Sequence, residues 1–115
     1  MAASFAEPPV TDLVRVDVVT FGRTVRVTAS GEIDSSSSPV FERHLDSVLE
    51  ARPDELVVDL CAVTFLDSAG LCVLASAHRR SREQQIPMRL LASTRAVVRP
   101  LQITGLWDVL PRTPD

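Results

Sequence analysis

The most constraining feature of the sequence is a short apolar run near its middle, at residues 55–60 (ELVVDL). Such a run is typical of a strand that is buried on both faces. Segments with helical periodicity lie on either side of it, between residues 38 and 51 and from residue 68 to about residue 84. Strands that alternate with helices predict an α/β fold with right-handed crossovers between parallel strands.

Two further strands are predicted before this unit. Residues 13–21 and 24–30 alternate between polar and apolar side chains, as half-buried strands do, and very few residues separate them. We therefore expect a hairpin, which ends at Gly31. The side chains predicted to face inward are Val14, Val16, Val18, Val25, Val27 and Ala29.

The remaining elements complete a single small domain. Ser37 or Ser38 is expected to cap the first helix, with Pro39 in its first turn. Residues 88–91 form another short strand, Ser93 or Thr94 caps a last helix that ends at Gly105, and residues 107–110 add a strand or turn. The expected order is β-β-α-β-α-β-α, in a mixed sheet covered by helices. This domain is expected over residues 10–112, after a disordered tail at residues 1–9.

Composition excludes several classes of protein. A net charge of −3 and a pI near 5.3 argue against a nucleic-acid binder. The sequence has no secretory signal and no apolar run long enough to span a bilayer, so we expect a cytoplasmic protein that does not enter a membrane. Cys61 and Cys72 are then expected to be thiols. Their spacing indicates no metal site, and nothing in the sequence points to a cofactor.

The segment most suggestive of chemistry is Asp67-Ser68-Ala69-Gly70, which follows a strand and begins a helix. The first amides of a helix have no partners within it and favour an anion, including a phosphate carried by Ser68. Ala69 and Gly70 are small enough to let another molecule approach the hydroxyl. The alternative interpretation is that Ser68 or Asp67 only caps the helix.

The same segment carries a family resemblance. Residues 57–60 (VVDL) and 63–71 (VTFLDSAGL) resemble the signature of the STAS domain in anti-sigma-factor antagonists. Residues 31–34 (GEID) resemble a second signature of that family, and residues 103–106 (ITGL) resemble the end of its last helix. The resemblance extends over roughly residues 14–110.

What the resemblance implies is a bacterial partner-switching protein that regulates transcription, as in stress responses, and that is not an enzyme. The serine that matches Ser68 is phosphorylated by an anti-sigma factor with a histidine-kinase-like ATPase fold. The unphosphorylated antagonist sequesters that factor, and a serine phosphatase resets the switch. Asp34 is expected near Ser68, with a turn-forming role as the alternative. The residues expected to bind the partner are Asp34, Ser35, Asp67, Ala69, Gly70 and Leu71.

Other functions are less well supported by the sequence. A STAS domain can also be the regulatory subunit of a membrane transport or lipid-trafficking complex. A serine hydrolase is disfavoured because the upstream glycine of a G-x-S-x-G turn is missing, and because His78 lies about 15 Å along the helix from Ser68. Residues 35–38 are a possible second phosphorylation site, and Arg79, Arg80 and Arg82 a possible anion patch. Pro100 is expected to disturb the last helix.

Overall fold

The structure, a computed structural model, describes residues 13–112. The predicted order of an α/β domain is confirmed, with one short helix added at the end. The tail expected at residues 1–9 lies outside the described residues. The elements are β1 (Val14–Phe21), β2 (Thr24–Ile33), α1 (Ser38–Glu50), β3 (Glu55–Leu66), α2 (Ser68–Glu83), β4 (Met88–Leu91), α3 (Arg95–Thr104) and α4 (Leu106–Val109).

The four strands form one mixed sheet in the order β1-β2-β3-β4. The first two strands are antiparallel, and the two pairs that follow are parallel. The predicted hairpin is confirmed: Phe21 pairs with Thr24 across a turn whose Gly22 has a φ of 62°. Glycine adopts such a φ without a steric penalty.

The apolar core lies between the sheet and its helices. α1 packs on β1, β2 and α2, while α3 packs on β3. Of the residues predicted to face inward, Val27 and Ala29 are fully buried, whereas Val18 in the second half of β1 is exposed. The largest fully buried side chains are Phe41, Ile33, Leu45, Leu49, Leu56, Leu60, Leu74, Leu90 and Leu101.

The opposite face of the sheet carries ion pairs. Burial of the Asp59 carboxyl acts to raise its pKa, but hydrogen bonds from Arg26 at 2.6 Å and from the Cys61 N–H at 3.0 Å outweigh this effect. The pKa of Asp59 therefore lies below its ordinary value. Residues 55–60 were expected to be buried on both faces, but on this face Glu55 and Val57 are only half-buried, beside an open groove.

Two predicted strand ends were wrong. β2 continues through Gly31 to Ile33, and β3 continues to Leu66. Register shifts in the β2–β3 pairing make this possible, one of them next to Gly31, which has a φ of 95°. A β-bulge of this kind places an extra residue in one strand and interrupts the alternation of side chains.

The last segment also differs from the prediction. The residues expected to form a strand or turn contribute to α4. The end predicted for the last long helix is confirmed, because α3 includes Pro100 and continues to Thr104. Gly105 ends α3 in the left-handed conformation, with a φ of 83°. This is the conformation in which glycine commonly terminates a helix.

Candidate functional site

The candidate site lies where β2 and β3 end side by side. Ile33 pairs with Leu66 in parallel register. Asp34 and Asp67, which follow the two strands, therefore leave the sheet at the same end, where both strands finish. The backbone N–H of Asp67 also donates to the carbonyl of Ile33 at 3.2 Å. The fold thereby brings the loop after β2 next to the start of α2.

Asp67 is the residue that caps α2. Its backbone is extended, and its Oδ1 accepts hydrogen bonds from the N–H groups of Ala69 at 2.9 Å and Gly70 at 3.4 Å. Its carbonyl accepts the first helical hydrogen bond, from Leu71 at 3.0 Å. The aspartate carboxylate therefore satisfies two of the amides that a helix start leaves without partners.

Ser68 is the first residue of α2 and is exposed. Its hydroxyl makes no hydrogen bond to any residue between 13 and 112. Because Asp67 supplies the cap, the alternative interpretation of the motif applies to the aspartate and not to the serine. The structure gives the Ser68 hydroxyl no stabilising role and leaves it accessible to another molecule.

Asp34 organises the loop that follows β2. Its Oδ1 accepts hydrogen bonds from the Ser36 hydroxyl at 2.7 Å, the Ser36 N–H at 2.9 Å and the Ser37 N–H at 3.0 Å. The Ser36 hydroxyl and then the Ser37 N–H are the main causes that hold the pKa of Asp34 below its ordinary value. Asp34 thus has the turn-forming role given as its alternative, and its carboxylate is ionised at neutral pH.

The serines of this loop differ in accessibility. Ser35 and Ser36 are exposed, whereas Ser37 and Ser38 are buried. Ser37 occupies the N-cap position of α1 without a capping side-chain hydrogen bond. Its hydroxyl instead donates to the carbonyl of Glu32 at 2.8 Å and accepts from the N–H of Asp34 at 2.9 Å. Of this run, only Ser35 and Ser36 are open to modification without rearrangement.

Gly70 was expected to let another molecule approach the Ser68 hydroxyl, but in the structure its small size serves the packing of α2. It is buried, and a Cβ atom placed on it would lie 2.4 Å from Leu66 Cδ1 and 2.9 Å from Ile33 Cγ2. The absence of a side chain lets α2 pack closely on the ends of the two strands. Leu71 is also buried in the core. Of the residues predicted to bind a partner, Asp34, Ser35, Asp67 and Ala69 are exposed or half-buried.

Two carboxylates, those of Asp34 and Asp67, follow the ends of β2 and β3. Among residues 13–112, no arginine forms an ion pair with Asp34 or Asp67. The exposed Glu32 lies at the same end of the sheet, and its partner in the β2–β3 register is Phe65, a residue that is 48% exposed. Sequence reasoning did not single out these two residues. An outward-facing aromatic residue in a chain with few aromatics is the signal it missed.

The comparisons with known proteins agree with this geometry. The profile of a family described as STAS domain matches residues 15–114. The chain is 30% identical over 115 residues to the anti-sigma-F factor antagonist RsfA of Mycobacterium tuberculosis, a match that covers 98% of this chain and 89% of the relative. The chain belongs to the STAS domain family.

Two further relatives of this STAS domain carry similar names. It is 31% identical over 97 residues to the anti-sigma-B factor antagonist of Bacillus subtilis, over 84% of this chain and 88% of the relative. A crystal structure of an anti-sigma factor antagonist from Mycobacterium paratuberculosis superimposes with a TM-score of 0.84 and 33% identity. That match covers 90% of this chain and 88% of the other.

The two cysteines of the STAS domain are exposed and form no disulfide, so they are not the small buried residues that cysteines often are. Cys72 lies four residues after Ser68 in α2, and four residues is the spacing that places two side chains on one face of a helix. Cys61 lies near a register shift in β3, beside Asp59. No helix within residues 13–112 has the length and apolar character needed to cross a membrane.

The arginines after His78 do not form one patch. Arg80 pairs with Asp46 of α1, whereas Arg79 and Arg82 line a shallow groove of about 400 Å³ with His78 and Glu83. Burial, and then the charge of Arg82, lower the pKa of His78. This groove lies ten residues along α2 from Ser68, about 15 Å at 1.5 Å per residue.

Proposed function

We propose that this STAS domain is an anti-sigma-factor antagonist controlled by phosphorylation of Ser68. In its unphosphorylated form it binds and sequesters an anti-sigma factor with a histidine-kinase-like ATPase fold, and the sigma factor is released to direct transcription. The anti-sigma factor phosphorylates Ser68 and thereby ends the complex. The observation that carries the proposal is an exposed serine whose hydroxyl has no hydrogen bond within residues 13–112, at the first position of a helix that the preceding Asp67 caps.

The chemistry assigned to this chain is simple. The Ser68 oxygen attacks the γ-phosphorus of ATP held by the anti-sigma factor, ADP leaves, and the serine proton passes to a base of the kinase. The antagonist contributes the nucleophile and its position at the first residue of α2. A serine phosphatase resets the switch by hydrolysing the phosphate ester. We place this cycle in the cytoplasm, where Cys61 and Cys72 stay reduced.

The partner surface follows from exposure and charge. We assign Asp34, Ser35, Asp67 and Ala69 to the contact surface because they are exposed or half-buried, and their carboxylates suit cationic groups of the anti-sigma factor. Gly70 and Leu71 are buried and contribute by holding the start of α2 against the sheet. We expect Ser68 to be the sole serine that the anti-sigma factor phosphorylates.

A phosphate on Ser68 adds about −1.5 to −2 charges at pH 7. Asp67 already occupies the N–H groups of Ala69 and Gly70, so the phosphate meets a carboxylate where an uncapped helix would offer free donors. Repulsion between this phosphate and an acidic group of the anti-sigma factor about 4 Å away is worth roughly 4 kcal/mol at an effective dielectric of 20, or about a thousandfold in affinity. Screening by salt lowers this figure at a wet interface.

The test of the site is phosphopeptide mapping after incubation of the chain with its anti-sigma factor and ATP. We expect one phosphorylated residue, Ser68, and no incorporation in a Ser68→Ala variant that still binds the anti-sigma factor. A Ser35→Ala, Ser36→Ala variant is the matched control, because these exposed serines lie in the loop that follows β2. Phosphate on Ser35 or Ser36 with Ser68 unmodified would contradict the assignment. Co-purification with membrane transporter subunits and no kinase would support the alternative function.

A further inference from the structure

One edge of the sheet is not covered by any other strand of residues 13–112. β1 is the outermost strand, and within residues 13–112 only β2 pairs with it. Its eight residues pair with β2 without a register shift and include no proline. Bulges and prolines are common means by which proteins prevent edge strands from pairing with another chain. β1 lacks both, and its residues after Val16 are exposed.

The hydrogen-bonding groups of this edge can be assigned residue by residue. The Glu32 N–H donates to the carbonyl of Leu13 at 2.7 Å, so Leu13 directs its backbone groups towards β2. Successive residues of an antiparallel strand alternate in this respect. The odd-numbered residues of β1 therefore bond to β2, while the N–H and carbonyl groups of Val14, Val16, Val18 and Thr20 point away from the sheet.

We propose that two copies of this chain associate by antiparallel pairing of β1 with β1, with the two-fold axis at Val16. In this arrangement Val16 faces Val16 of the second copy, and Val14 faces Val18. These are all residues whose backbone groups point outward, so each pair exchanges two hydrogen bonds. The four-stranded sheets then join into one continuous sheet of eight strands. This inference does not depend on the proposed function.

The charges on β1 select this register. Arg15 and Asp17 lie on either side of Val16 with their side chains 81% and 60% exposed, and within one copy they form only a long ion pair of 3.6 Å. An axis at Val16 places each Arg15 opposite Asp17 of the second copy, at non-hydrogen-bonded positions where side chains are closest. An axis at Arg15 or at Asp17 would place like charges directly opposite each other, which is destabilising.

The dimer leaves the functional site accessible. A two-fold axis perpendicular to the sheet reverses the strand direction, so the ends of β2 and β3 in the two copies point in opposite directions. The two Ser68 hydroxyls then lie at opposite ends of the joined sheet, and the helices of both copies cover the same face. A dimer of this kind would present two independent sites to its partners.

The experiment is sedimentation equilibrium of the full chain from about 10 μM to about 1 mM, because an edge interface of this size is at the weak end of specific association. We expect a reversible monomer–dimer equilibrium. R15E and D17R should each weaken dimerisation at least about tenfold, because each places two like-charged pairs across the interface. The R15E/D17R double variant should restore it, and mixing the two single variants should yield a heterodimer.

Thermal unfolding of each variant controls for misfolding, and the exposure of both side chains predicts melting temperatures close to that of the parent. A parent chain that stays monomeric throughout the concentration range would overturn the proposal. A dimer that R15E and D17R leave unchanged would also overturn it, because the contact would then lie elsewhere, such as at the exposed Ile103 of α3.

Discussion

Replacement of Gly70 by alanine tests how the start of α2 is held. Helix propensity alone predicts that Gly70→Ala stabilises the protein by up to about 1 kcal/mol, since alanine is the better helix former. The packing predicts the opposite, because the new Cβ would lie 2.4 Å from Leu66 Cδ1 and 2.9 Å from Ile33 Cγ2. The two effects have opposite signs, so the measured sign decides between them.

The size of the packing effect follows from the two neighbours. Leu66 is 4% exposed and Ile33 is fully buried, so neither side chain can swing into solvent. Ile33 is also β-branched, and its Cγ2 has little rotameric freedom. Overpacking of this kind costs about 1–3 kcal/mol. After subtraction of a propensity gain of about 1 kcal/mol, we expect a net destabilisation of up to about 2 kcal/mol, or a fall in Tm of up to roughly 10 °C.

The assay is urea unfolding followed by circular dichroism, in a double-mutant cycle with Leu66→Val. The valine removes the Cδ1 atom that lies closest to the new methyl group, so the double variant should be more stable than the sum of the single effects by about 0.5–2 kcal/mol. A Gly70→Ala variant at least as stable as the parent would refute the packing argument. The small size of Gly70 would then be better explained by close approach of a partner.

Three further predictions concern the cap, an ion pair and the thiols. Asp67→Ala should lower the free energy of unfolding by about 1 kcal/mol in urea titrations. Asp67→Asn should lower it by much less, because asparagine is an equally good N-cap. Equal losses in the two variants would mean that the charge of Asp67 matters and its capping does not. Because the pKa of Asp59 is lowered, its carboxylate contributes to the free energy of unfolding at neutral pH, and this contribution is lost as the pH falls below the ordinary aspartate value of 3.8. Asp59→Asn should therefore make the free energy of unfolding less dependent on pH in the acid range. The same dependence in the variant and the parent would contradict this. Finally, a Cys61→Ser, Cys72→Ser variant should bind the anti-sigma factor as the parent does in titration calorimetry, and a tenfold change on mild oxidation that this variant abolishes would show redox control.

Sequence periodicity predicted the elements whose ends are set by local chemistry. Residues 88–91 were predicted as a strand with the bounds observed, and Gly105 was correctly placed at the end of the last long helix. Each boundary is imposed by a residue close in sequence. Pro87 precedes the strand, and Gly105 itself ends the helix. Asp67 was also one of the two residues offered as a cap for α2.

The parts that sequence did not predict depend on contacts between distant segments. β2 passes through Gly31 because a register shift against β3, more than thirty residues away in sequence, accommodates the glycine. A Cβ atom placed on Gly31 would lie 2.2 Å from the carbonyl oxygen of Leu13. This closeness also results from strand pairing, here between β1 and β2. The packing role of Gly70 depends on Ile33 for the same reason. A sequence pattern reports which residues are small, but not what lies against them.

The central claim is tested most directly by titrating the purified anti-sigma factor with the Ser68-unphosphorylated and Ser68-phosphorylated forms in a calorimeter, with thermal unfolding of both forms alongside. We expect a loss of affinity of up to about a thousandfold on phosphorylation, with little change in Tm, because the exposed Ser68 makes no hydrogen bond that the fold requires. A Ser68→Glu variant should lose less affinity, since it carries less charge than the phosphate. Equal affinity of the two forms would contradict the switch, and a collapsed unfolding transition in the phosphorylated form would show that Ser68 is structural.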